Sequence, residues 1–83
     1  MIWLKRLFEL RIDNDLTQEQ VAKIINTTKQ NYGHYESGKR QIKIEDLLKL
    51  CEFYKVTPNY MFGVNEKDES GNKKIYNIAY FKN

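Results

Sequence analysis

Between residues 17 and 38 the chain carries helix start and stop signals so closely spaced that only two short helices joined by a tight turn fit there. Thr17-Gln18-Glu19-Gln20 is a capping box, in which the Thr17 hydroxyl can accept from the Gln20 amide and the Gln20 side chain can return the bond. Val21, Ala22, Ile24 and Ile25 follow as inward residues of a helix that stops at Asn26. Asparagine is one of the few non-glycine residues that tolerates the left-handed conformation of a sharp turn. Thr28 is placed to cap a second helix over residues 29–37, and Gly38 terminates it. Projected at helical spacing, Tyr32, Tyr35 and, at the margin, Glu36 share one face of that helix. Lys29, Gln30, Gly33, His34 and Ser37 share the other.

The flanking segments read the same way. A first helix is expected over residues 3–14, with Trp3, Leu7 and Leu10 in one apolar stripe and Leu4, Phe8 and Ile12 in a second. The two merge into an arc of roughly 200°, about twice what a surface helix needs and more than one core easily covers. After the loop 38–43, a helix over residues 44–54 is expected to bury Ile44, Leu47, Leu48, Cys51 and Tyr54. Thr57-Pro58 then opens a short helix through Met61 that ends at Gly63. With one proline and four glycines in 83 residues, the expectation is an all-α, five-helix domain over residues 1–63. Residues 64–83 read as a polar linker, with Ser70-Gly71-Asn72 as a turn, followed by an apolar segment at 75–81 of β-strand character. A lone strand needs a partner.

Composition removes several function classes. Cys51 is the one cysteine and there is no Cys/His cluster at zinc spacing, so no structural metal, no cofactor and a reducing compartment are expected, with Cys51 a small buried apolar residue. No apolar run approaches the ~18 residues of a membrane span, and residues 1–10 alternate charged with apolar residues, so a soluble cytoplasmic protein is expected. One histidine, no paired carboxylates, no phosphate-binding glycine loop and no nucleophile with a base point away from an enzyme, and no catalytic residue is assigned. The charge is placed, not spread. Lys29, Lys39, Arg40 and Lys43 stand against Glu36 alone in residues 26–43, four minus one, which accounts for the whole net charge of +3. A localised polyanion contact needs such a stretch, although a solvated face taken alone has a similar look.

Two short helices, a tight turn and a polar outward face make a helix-turn-helix unit. Leu16-Thr17-Gln18-Glu19-Gln20-Val21-Ala22, Tyr35-Glu36-Ser37-Gly38-Lys39-Arg40 and Leu47-Leu48-Lys49-Leu50, in this order, resemble the Cro/CI-type (XRE) helix-turn-helix regulators of phages and bacteria over about residues 7–63. The resemblance implies a lambda-repressor-like DNA-binding domain whose helix 29–37 enters the major groove of double-stranded DNA. It further implies a transcriptional repressor working as a homodimer on a palindromic operator, with half-sites about 34 Å apart. It makes Arg11 and Glu36 a semi-buried structural ion pair, and it puts Lys29, Gln30 and His34, with Gly33 between them, at the base-contacting positions. Lysine suits guanine and glutamine suits adenine, while His34 is equally well read as a solvated surface histidine and Asn31 lies too far round the helix.

Asn26 departs from the family's commoner glycine. Gly33 departs further, since the family usually has a larger polar residue there; glycine inside a helix costs up to about 1 kcal/mol against alanine, and a close approach to the groove would use it. Phosphate contacts are expected from Gln18 at the helix start, which is otherwise simply a solvated helix-start residue, from Lys39 and Arg40, and more weakly from Lys43 and Ser37. Tyr32 and Tyr35 are read as core, not as stacking platforms. For the segment 75–81 three roles stay open: a homodimer seam, a cover for Leu4, Phe8 and Ile12, or an antitoxin-like surface for a protein partner with DNA binding serving autoregulation.

Overall fold

The computed structural model describes residues 2–64. These form five helices, α1 (Ile2–Asp13), α2 (Gln18–Ile24), α3 (Lys29–Ser37), α4 (Ile44–Tyr54) and α5 (Pro58–Phe62). The ends of α1 differ by one residue from those expected, as frayed termini do. The apolar segment 75–81 lies outside the described residues.

Helix starts follow from local chemistry. Thr17, Thr28 and Thr57 accept from the amides of Gln20, Asn31 and Tyr60 at the heads of α2, α3 and α5, and the Gln20 side chain completes the capping box by accepting from the Thr17 amide at 2.8 Å. The stops are as local. Asn26 is left-handed at φ 57°, and the Thr27 amide reaches back to the Ala22 carbonyl at 2.8 Å, which closes α2 with one of its last carbonyls satisfied. Gly38 does the same for α3 at φ 79°.

The core is drawn from every helix: Trp3 and Leu7, Val21, Ala22 and Ile25, Tyr32 and Tyr35, Ile42, then Leu47, Leu50, Cys51 and Met61. α2 packs on α3, and α1 lies against both α3 and α5. Burial pushes the Cys51 thiol up to about 11, so it stays a neutral packing group. Two expectations for α4 need correcting. Leu48 is 42% exposed, and Leu50 is buried in its place. The inward face is rotated toward Asp46 and Leu50, one helical turn apart; Asp46, 8% exposed, accepts there from the Tyr35 hydroxyl at 3.1 Å. Ile24 is only partly buried, as are Ile44 and Tyr54.

On α1 the second stripe is incompletely covered: Leu4 packs against the core, whereas Phe8 and Ile12 are 49% and 47% exposed. No helix among the described residues is long and apolar enough to cross a membrane, and no cluster of three or more metal-ligating side chains occurs among them.

Candidate nucleic-acid interface

α3 is held from behind by two aromatic side chains and one ion pair. Tyr32 and Tyr35 are fully buried, at 0% and 1% exposure. Glu36 meets Arg11 of α1 in a two-pronged pair, Nε to Oε2 at 2.6 Å and Nη2 to Oε1 at 3.0 Å, and a third guanidinium nitrogen donates to the Leu16 carbonyl at 2.9 Å. One arginine thus ties α1, the start of the α2 segment and the end of α3 together, and both side chains are nearly dry, at 11% and 6% exposure. Burial alone would push the Glu36 carboxyl up, but the hydrogen bonds it accepts outweigh this, Arg11 foremost, and hold it below its usual 4.5. The Tyr32 hydroxyl is buried beside the carboxylate, outside full hydrogen-bond geometry; burial and the Glu36 charge push its ionisation far up.

The opposite side of α3 faces out. Lys29, Gln30 and Ser37 are exposed, His34 and Gly33 half-buried, and Lys39, Arg40 and Lys43 exposed along the following loop. Lys29, Gln30 and His34 therefore share one polar surface with the loop cations beside it. Ser37 spends its hydroxyl locally: it donates to the His34 carbonyl at 3.3 Å and accepts from the Lys39 amide at 3.4 Å, which shapes the exit from α3.

Gln18 is half-buried, with its carboxamide turned onto α3, where it donates to Glu36 Oε1 at 3.3 Å. Its oxygen lies 3.4 Å from where a Cβ on Gly33 would stand, so the absent side chain at 33 leaves room for Gln18 to lie across the helix. A methyl group there would make ordinary contact with the Gln18 carboxamide.

Asn31, which the sequence reading set aside, and Thr27, which it did not assign, belong to this surface. Asn31 donates to Thr27 Oγ1 at 2.9 Å and accepts from Arg40 Nη1. The Thr27–Asn31 contact is an i,i+4 pair and so was open to sequence inspection. The Arg40 contact spans nine residues and a loop, and only the fold shows it.

The sequence profile of the helix-turn-helix family matches residues 7–61. Among curated proteins the chain is similar to the HTH-type transcriptional regulator YobD of Bacillus subtilis, 32% identical over 65 residues, 78% of this chain and 58% of the relative. It is also similar to the cryptic phage CTXphi transcriptional repressor RstR of Vibrio cholerae, 41% identical over 51 residues, 61% of this chain and 46% of the relative. A third relative is the HTH-type transcriptional regulator ImmR of Bacillus subtilis, 32% identical over 73 residues, 88% and 58% of the two chains. The chain spans about half the length of these relatives. No solved structure matches it significantly. The matched span runs from the middle of α1 into α5 and so takes in the α2–turn–α3 unit with the helices that support it, which means that the chain belongs to the helix-turn-helix family, in its Cro/CI (XRE) type.

Proposed function

We propose that the chain is a sequence-specific DNA-binding transcriptional regulator, a repressor that occupies a palindromic operator as a homodimer with α3 in the major groove of each half-site. One observation carries this reading. α3 is anchored through Tyr32, Tyr35 and Glu36 on one side while Lys29, Gln30 and His34 stand together on the other, uncommitted to the core. A helix clamped in this way presents a rigid row of hydrogen-bonding groups, as reading base edges requires. Lys29 supplies a donor suited to guanine and Gln30 a bidentate partner for adenine. Lys39, Lys43, Ser37 and the Gln18 amide group lie at the margins of the reading face and contact phosphates, positioning the protein without reading sequence.

Selection of bound duplexes from a random pool tests this, and a two-fold symmetric consensus is the expected result. Failure to enrich any sequence at low salt would overturn it. In the same binding assay Lys39→Ala weakens all duplexes alike and lowers the salt slope by about one.

A second reading is favoured by the exposure of Phe8 and Ile12: a protein surface, whether the chain's own residues 75–81 or a partner, covers α1. Phe8 and Ile12 are 49% and 47% exposed, an apolar pair on α1 that a covering surface would bury. Sedimentation of the chain cut after Gly63 tests the remaining role of the tail, since a truncated chain that is still fully dimeric rules the tail out as the dimer seam.

A further inference from the structure

Arg40 follows α3 in sequence yet turns back along it. Its backbone amide donates to the His34 carbonyl at 3.1 Å, which seats the residue against the last turn of the helix. Its guanidinium then donates through Nη1 to the Asn31 side-chain oxygen, near the head of α3. A guanidinium can only donate, so Asn31 must turn its oxygen to Arg40 and its nitrogen away, and that nitrogen finds Thr27 Oγ1 at 2.9 Å. Thr27, Asn31 and Arg40 form a relay from the α2–α3 turn to the loop after α3. Together with Thr28, Gln30 and His34, Asn31 and Arg40 line one hollow of about 220 Å³ on the outward face.

We infer that Arg40 is a base-reading residue and that Asn31 is the positioning residue that holds it on the reading face, the pair recognising a guanine next to the base read by Gln30. This rests on the operator-binding function proposed above. A phosphate contact asks only for a positive charge with freedom to follow the backbone. Arg40 is instead tethered by its main chain and by one side-chain bond, with its remaining donors left for another acceptor. A planar fork held beside Gln30 and His34 matches the paired O6 and N7 acceptors of guanine, the commonest specific contact an arginine makes in the major groove. It also brings a second cation onto a face where α3 itself supplies Lys29 alone.

The test uses the full chain, the consensus duplex from the selection and its single-position variants. Arg40→Lys keeps the charge and loses the fork, whereas Asn31→Ala keeps the fork and loses the tether. Both are expected to bind nonspecific DNA with an unchanged salt slope and to lose discrimination at the same guanine position by about tenfold or more. Combining them adds little to either alone, and Asn31→Asp, which still accepts from Arg40, retains the discrimination. Arg40→Lys with unaltered preferences makes Arg40 a phosphate contact and overturns the inference. So does an Asn31→Ala protein that discriminates as the parent does. If the parent chain enriches no sequence, the operator-binding reading falls with it, and that result precedes any substitution.

Discussion

Arg11→Met probes the clamp behind α3 and reports in two independent ways. The substitution removes three hydrogen bonds, two to Glu36 and one to the Leu16 carbonyl, while a side chain of similar length still fills the space. It leaves a carboxylate that is 6% exposed with Gln18 at 3.3 Å and the neighbouring Tyr32 hydroxyl as its remaining polar support. Stranding one charge of a nearly dry pair costs about 3 kcal/mol, and a domain of this size holds only about 5 kcal/mol in all. With a urea dependence of about 1 kcal/mol/M, the unfolding midpoint followed by circular dichroism should fall by about 3 M. The double variant Arg11→Met, Glu36→Met exchanges both charges for packing and should recover most of the loss.

The pH dependence should also change sign. In the parent chain the Glu36 carboxyl is held below its usual value of 4.5, so its contribution is present above that pH and is lost as pH falls through the folded value. In Arg11→Met, burial acts on Glu36 without the opposing guanidinium, its carboxyl moves up, and the variant gains stability as pH falls toward 5. A midpoint shift below about 1 M, or a variant whose stability falls with acid as the parent's does, would refute the clamp as described.

Two further outcomes concern packing. Leu50→Ala should cost about 2–5 kcal/mol in chemical denaturation while Leu48→Ala stays within about 1 kcal/mol, because Leu50 is 1% exposed and Leu48 is 42% exposed; equal losses would refute the rotated face of α4. Gly33→Ala should raise the melting temperature by roughly 4 °C or more, since the added methyl meets Gln18 at ordinary contact distance and the helix loses an interior glycine. Unchanged operator affinity in that variant would dispose of a close backbone approach to the groove at Gly33.

What could be read without coordinates was chemistry that acts over a few residues. The threonine caps at 17, 28 and 57, the left-handed Asn26 and the glycine stop at 38 each depend on neighbours three to six positions away, and they mark the starts of α2, α3 and α5 and the stops of α2 and α3. The split of α3 into a Tyr32, Tyr35, Glu36 face and a Lys29, Gln30, His34 face was equally legible, since a nine-residue helix leaves little doubt about period. The pairing of Arg11 with Glu36 came from family likeness; in the structure the two side chains lie 2.6 Å apart.

Where several residues of one type were available, the pattern failed. Leu47, Leu48 and Leu50 are indistinguishable by hydropathy, and only the packed structure shows Leu50 buried on the side where Asp46 meets the Tyr35 hydroxyl and Leu48 exposed. Gln18 was read as a phosphate contact or a solvated helix-start residue, and nothing local shows that Glu36 lies within 3.3 Å of it. Asn31 was set aside on its angle round the helix, although its role depends on an arginine that returns from beyond Gly38. Helix identity and length were thus determined by the sequence alone, through hydrogen bonds that close within a turn. The orientation of α4, the covering of Gly33 and the Thr27–Asn31–Arg40 relay were decided by tertiary structure, because each joins groups that only the packed chain brings together.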